Sequence, residues 1–253
     1  MVKILILLSI FVFTSVPLLA NDPFSSFNDE ISAGGSVAQN ALNNLAKDLG
    51  ALLGGGSYHE GKSLGFPGFD IGIQVPTKSV SNDDSIVQKA GVSSIALPIV
   101  QAEIGLPANI DLIGRYTSYL NATLTGFGLR YGLFKPSIPG MPSVSVQAVM
   151  TNLAVASGDN KFKASTTGVN AIISFDHLPV ITPYAGVGFD STDVEPDSSS
   201  LIKPAVSSFK GTASGTRIEA GINLTLFPFT YLKLGAAMAG GSTDATAGIG
   251  VSF

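Results

Sequence analysis

The stretch Thr243-Asp-Ala-Thr-Ala-Gly-Ile-Gly-Val-Ser-Phe253 decides the fold of this chain. Its alternate residues, Thr243, Ala245, Ala247, Ile249, Val251 and Phe253, form a mostly apolar series. Between them stand Asp244, Thr246, Gly248, Gly250 and Ser252, all small or polar. Successive side chains of a strand point to opposite faces, so a strict period of two describes a strand between two unlike environments. The run ends on an aromatic residue, Phe253.

Composition extends that reading to the whole chain. Of 253 residues, 45% are hydrophobic and only 13% charged, and the mean hydropathy is +0.39. Soluble domains carry about 25% charged residues. Beyond residue 20 there is no uninterrupted apolar run of the ~18 residues that a membrane helix needs. High hydropathy without a spanning helix places the apolar residues at alternate positions of membrane-crossing strands. A net charge of −4 with no basic concentration argues against a nucleic-acid partner. The absence of cysteine removes lipoprotein anchoring, disulfides and thiolate metal sites.

The N-terminal fifth is different. Lys3, the apolar core Ile4 to Val16 and the Pro17 to Ala20 cleavage region read as a signal peptide over residues 1–20, with an uncleaved anchor as the alternative. Residues 21–35 read as a flexible polar lead-in. Ser36 and Gln39 have capping-box spacing. Behind them Ala38, Ala41, Leu42, Leu45, Leu49, Leu52 and Leu53 share one helical face, opposite Asn40, Asn43, Asn44 and Lys47. Gly54 to Gly56 end this amphipathic helix, which is about 25 Å long. Residues 21–57 thus form a linker and helix ahead of a strand-rich domain, 58–253.

Within that domain, period-two segments recur near 68–75, 100–106, 110–117, 126–133, 144–151, 168–175, 184–189, 217–226, 232–238 and 243–253. Both long polar connections, 77–95 and 191–208, follow odd-numbered strands, while the other connections are short and rich in Pro. The fold expected is all-β, a transmembrane antiparallel up-and-down barrel of about ten strands, with eight or twelve as alternatives. The N-terminus and Phe253 are both expected on the periplasmic side.

The face opposite the lipid carries Asp70, Glu103, Asp111 and Glu219 against Arg115, Arg130, Arg217 and Lys233. Four acids facing four bases suit an internal salt-bridge lattice, with a solute pathway as the alternative. The same face is rich in glycine, which leaves a void. The helix, with its Leu42, Leu45, Leu49 and Leu52 stripe, is expected to plug it against Ile113, Leu124, Phe134, Val149 and Ile172. The alternative places that stripe on the periplasmic leaflet. Lipid-facing Ile222 is expected to reject arginine, and inward Asn223 to accept it.

Catalytic signals are weak. His59 and His177 are the two histidines, and His59-Glu60 is an isolated pair. No Walker loop, dinucleotide fingerprint or Cys/His cluster occurs, so neither a catalytic site, a metal nor a cofactor is expected.

The terminal strand, through Ile249, Val251 and Phe253, resembles the last strand of bacterial outer-membrane β-barrels, which serves as a signal to the barrel assembly machinery. The layout also resembles the small barrels of Bacteroidota-type bacteria and, loosely, hydrophobic-compound transporters whose N-terminal segment plugs the barrel. This resemblance implies outer-membrane localisation, with lipid and the assembly machinery as partners. It also implies passive transport of small or apolar solutes. The alternatives are a structural or surface-interaction barrel binding through 77–95 and 191–208, or, as a minority reading, an outer-membrane hydrolase.

Overall fold

Alternation persists through most of the chain because each strand separates an apolar outer face from a packed interior. The computed structural model describes residues 22–136, 138, 140–176, 180–197 and 209–253. Residues 1–20, expected to be a signal peptide, and His177 lie outside the described residues. Three helices, α1 (Phe27–Ser32), α2 (Gly35–Gly54) and α3 (Ser85–Lys89), accompany eleven strands. The strands are β1 (Phe69–Ser79), β2 (Ser94–Ala96), β3 (Ile99–Leu106), β4 (Ile110–Tyr119), β5 (Ala122–Phe134) and β6 (Ser143–Ser157). They continue as β7 (Asn160–Ser174), β8 (Ile181–Pro196), β9 (Gly211–Leu224), β10 (Thr230–Ala239) and β11 (Ser242–Ser252).

Sequential neighbours pair antiparallel from β3 to β11, and β11 returns to pair with β1, Asp70 opposite Ser252 through Thr77 opposite Ala245. The sheet is therefore closed. Both β2 and β3 pair with β1, as two halves of one stave interrupted at Leu97-Pro98. Eleven strands thus make ten staves. Phe253 completes the closure: its N–H donates to the Phe69 carbonyl at 2.9 Å and its own carbonyl accepts from Phe69 at 2.7 Å. Its ring lies 5.7 Å from Phe69 and 5.9 Å from Phe229.

Outward positions are apolar over a belt that includes Ile73, Ile104, Leu112, Phe127, Leu129, Met150, Val169, Val187, Ile218, Leu234 and Ile249, all exposed. On β5 the belt runs from Phe127 to Leu133, about 20 Å along the strand, close to the height of a lipid-facing barrel band. One end, the turn end, holds the connections after β3, β5, β7 and β9 and the C-terminus. It is ringed by the exposed aromatics Phe66, Phe134, Phe175, Phe227, Phe229 and Phe253. The other, the loop end, holds tight hairpins and the two longest connections. Here β6 to β9 run 14 to 16 residues, whereas the other strands, β2 apart, run 8 to 13. Toward the loop end the outward face of β5 to β9 includes the polar residues Thr123, Thr125, Asn152, Lys163, Ser165, Ser191 and Thr212, all exposed.

Inside the wall runs the N-terminal segment. At the loop end, Asn28 hydrogen-bonds Asn160 and the Asp159 carbonyl, and Phe24 and Phe27 pack on Phe162. Gly34 and Gly35, both with positive φ, turn the chain from α1 into α2. Helix α2 then descends along β8 and β9, Gly50 against Thr192 and Gly54 against Asp190. Residues 55–65 continue down in irregular conformation to the turn end, where Gly65 lies against Gly105. The chain reverses there into β1. Residues 35–65 traverse the barrel from end to end.

Several expectations need correction. Residues 22–32 are an ordered cap, not a flexible lead-in, because Phe24, Phe27 and Ile31 bury their side chains. Helix α2 starts at Gly35 without a side-chain cap, and Gln39 instead reaches Asn43 and the Lys210 carbonyl. The 77–95 connection carries α3, capped by Asp84 accepting from Val87 N–H at 3.2 Å. Strand β8 continues to Pro196, so the 191–208 connection is shorter than expected. Phe134 faces outward, because a register shift between Gly132 and Phe134 breaks the alternation there. Residue 22 stands at the loop end, opposite Phe253, and not beside it.

Candidate functional site in the barrel lumen

The lumen has two halves of different chemistry. The loop-end half is apolar. Leu42, Leu45, Leu49, Leu52 and Leu53 of α2 pack with Leu124, Leu153, Val155, Phe162 and Val194 of the wall. Ile86, Val87, Ile95 and Leu97 from the β1–β3 connection complete that core. Lys78 spans its edge, 3.5 Å from Asp48 of α2 and 3.4 Å from Asp244 of β11. Ser81 N–H donates to the same Asp48 carboxylate at 2.7 Å.

The turn-end half is polar and organised around the main chain of residues 53–64. A segment with neither helix nor sheet hydrogen bonds, removed from water, must find partners for its N–H and C=O groups elsewhere. The wall supplies them. Arg115 donates to the carbonyls of Leu53 at 2.6 Å and Gly55 at 3.1 Å. Gln101 and Gln147 donate to that of Ser57, at 3.0 and 3.2 Å. Lys233 donates to that of Tyr58 at 2.5 Å, and Asn223 to that of His59 at 2.7 Å. In the other direction, Gly61 N–H donates to Ser174 Oγ at 2.8 Å and Leu64 N–H to Asp111 at 3.1 Å.

Those wall residues are held in turn by ion pairs. Arg130 bridges Glu103 at 2.6 Å and Asp111 at 2.9 Å. Arg217 takes Asp190 at 3.0 Å and Glu219 at 3.2 Å, and Glu219 takes Lys233 at 3.1 Å. All are nearly or fully buried. Buried charges in a dry interior persist only when paired and hydrogen-bonded. Here the pairing leaves Lys233 and Asp111 pointing at the segment's backbone.

Three buried tyrosines fill the space left by glycine. A side chain at Gly186 would meet the Tyr58 hydroxyl at 2.5 Å, and one at Gly221 or Gly235 that of Tyr184 at 2.5 or 2.4 Å. Gly72 and Gly250 seat Tyr231 in the same way. Tyr231 donates to Asp70 at 3.1 Å and stacks on His59, centroids 4.3 Å apart. His59 Nε2 is 3.4 Å from Asp70.

All eight charged residues expected to face inward do so, in one contiguous lumen. Two depart from the expected lattice: Asp70 takes His59 and Tyr231 rather than one of the four bases, and Arg115, with no carboxylate partner among the described residues, holds the end of α2. Ile113, Leu124, Val149 and Ile172 are buried, but only Leu124 shares the core of the Leu stripe; Ile172 packs with Tyr58 and Tyr184, and Ile113 and Val149 lie outside both clusters. Sequence reasoning missed Asp190, Lys78, Asp48 and Asp244, and also the tyrosines. The available signal was an excess of inward Gln and Asn (Gln101, Gln147, Asn170 and Asn223), donors suited to backbone carbonyls. Among the described residues no group of three or more His, Asp or Glu is placed to hold a metal.

A sequence family described as a family of unknown function, DUF6588, matches residues 84–253. No curated protein sequence matches the chain. Similar solved structures include the N-terminal β-barrel domain of Pseudomonas aeruginosa OprF. It shares 15% identity over 77% of this chain and 100% of that chain, with a TM-score of 0.35. Neisserial surface protein A shares 17% identity over 74% and 97%, with a TM-score of 0.33. Ail, the attachment invasion locus protein of Yersinia pestis, shares 13% over 74% and 99%, with a TM-score of 0.23.

Proposed function

The chain belongs to this family of unknown function, DUF6588, and on that premise we propose a bacterial outer-membrane barrel held shut by its own N-terminal segment, with the loop end as its working surface. In this reading the signal peptide exports the chain, lipid surrounds the belt, and the assembly machinery acts on Ile249, Val251 and Phe253. One observation carries the closed state: wall side chains are committed to the main chain of Leu53, Gly55, Ser57, Tyr58, His59, Gly61 and Leu64. Withdrawing the segment would strand those partners at about 1–3 kcal/mol each. Passive passage of small or apolar solutes, the first expectation from sequence, would in this reading require the segment to leave its seat. Surface interaction through the loop end is the reading that a filled lumen favours.

Single-channel recording in planar bilayers tests it, with a cross-link as control. The chain has no cysteine, and a Cβ placed on Gly50 lies 3.3 Å from Thr192 Cβ, near the ~3.5–4.5 Å of a disulfide. The unmodified chain should show no sustained conductance, and the Gly50→Cys/Thr192→Cys chain should cross-link readily. Sustained openings that the disulfide abolishes would replace this reading with a gated solute passage.

A further inference from the structure

We infer that the N-terminal cap, residues 22–34, is displayed on the outer face of the membrane, opposite the C-terminus, and that residues 35–65 cross the membrane once more inside the wall. This rests on the outer-membrane placement proposed above but not on the closed state.

Two independent sets of observations meet here. The first fixes the path of the chain. Contacts of the segment move steadily from one end of the staves to the other: Asn28 with Asn160, Asn43 with Thr212, Asp48 with Ser81, Gly54 with Asp190, His59 with Asn223, Leu64 with Asp111. Asn160 and Thr212 lie at the loop end of β7 and β9, whereas Asp111 is the second residue of β4, at the turn end. The cap and Phe253 are thus at opposite mouths.

The second set fixes which mouth faces out. Single-chain barrels of the outer membrane keep short turns in the periplasm and longer connections outside. The connections 80–93 and 197–210 are both at the loop end. The polar outward residues of β5 to β9, among them Thr123, Asn152, Lys163 and Thr212, are at the same end, so that end stands beyond the belt in water, while the turn end closes in a ring of phenylalanines at belt level. The loop end is the outer mouth, and the cap belongs to it. A chain that begins outside and ends inside uses its barrel as the conduit for its own N-terminal segment. Any segment joined ahead of residue 22 would be carried to the outer face.

Cysteine accessibility decides it, because the chain offers no competing thiol. Three single variants suffice: Ser32→Cys on the exposed end of α1, Asn152→Cys on the exposed outer extension of β6, and Met141→Cys in the exposed β5–β6 turn. Each is expressed in an outer-membrane-bearing host and checked for heat-modifiable mobility. Intact cells are treated with a membrane-impermeant maleimide before and after permeabilisation. Ser32→Cys and Asn152→Cys should label fully in intact cells, and Met141→Cys only after permeabilisation. Labelling of Asn152→Cys but not Ser32→Cys in intact cells would overturn the threaded path. Labelling of Met141→Cys alone in intact cells would invert the barrel and overturn the display of the cap, while leaving the closed state to be judged by conductance.

Discussion

Replacing Arg115 with methionine should unseat the N-terminal segment while leaving the wall in place. Arg115 stands on β4 beneath the last turn of α2. Its guanidinium donates to the Leu53 and Gly55 carbonyls at 2.6 and 3.1 Å, and to Thr151 Oγ1 at 3.3 Å. Each charge-assisted bond to a buried carbonyl contributes about 1.5–3 kcal/mol. A cation at a helix C-terminus adds up to ~2 kcal/mol in a partly buried setting. These contributions overlap, so the expected loss is about 3–5 kcal/mol. No paired carboxylate is orphaned, and the main-chain pairing of Arg115 with Gln101 and Gly126 is untouched. The loss therefore falls on the seating of the segment, raising the unseated population by a factor of roughly 10² to several times 10³. Hydrogen exchange should report it as lost protection in residues 48–64, with β6 to β8 still protected. Arg115→Lys, a point charge without the two-armed fork, should recover part of the protection. Unchanged exchange in 48–64, or equal loss in β6 to β8, would refute the assignment of Arg115 to the segment.

Other outcomes follow from the same geometry. Gly186→Val drives a side chain into Tyr58 and should cost about 1–3 kcal/mol, read as a lower heat-unfolding temperature; Tyr58→Ala in the same chain should relieve the clash. Ile222→Arg on the lipid face should cost about 2–4 kcal/mol. Asn223→Arg, acceptable in an open lumen, should now be comparably harmful in the same urea titration, because Asn223 is buried on the His59 carbonyl. Phe253→Asp should reduce outer-membrane levels on fractionation, since it breaks the ring contacts with Phe69 and Phe229 at the closing seam. Burial pushes the Asp84 carboxyl up from its ordinary 3.8 to about 7. The folded connection therefore holds that proton more tightly than the unfolded chain does. The contribution is fully present below about pH 4 and lost as pH rises through about 7. Exchange in residues 80–93 should quicken over that window, and Asp84→Asn should flatten the dependence.

Barrel form and inward charges were legible in the sequence because lipid enforces a period of two. Ile218 to Leu224 cannot exchange faces without placing Arg217, Glu219 or Asn223 in hydrocarbon. The same rule explains what was missed. Above the belt the pattern inverts, with Phe162 and Ala164 packed inward and Lys163 and Ser165 outward in water, so a rule of apolar-outward alternation read β7 as shorter than it is. Phe134 broke the pattern through a bulge whose cause is local backbone geometry. Inward glycines signalled a void, but whether a helix or tyrosines fill it depends on contacts far apart in sequence, such as Tyr58 with Gly186. The path of residues 55–65 left no periodic trace, because its backbone is satisfied by side chains from many strands rather than by a ladder of its own.

The unequal length of the staves gives the outer surface relief. From β6 to β9 the wall rises highest, as a crescent. At one edge β9 continues from Arg217 to Gly211 past the end of β10 at Ala239, and at the other β6 continues past Val155, the partner of the first residue of β5. A neighbour moving in the plane of the membrane meets a tall hydrophilic rampart on one flank, studded with Asn152, Lys163, Ser165 and Glu195. On the other flank it meets lipid almost to the rim. The molecule thus has a front and a back as well as an inside and an outside, and in the membrane placement proposed above its lateral encounters would be oriented by that crescent.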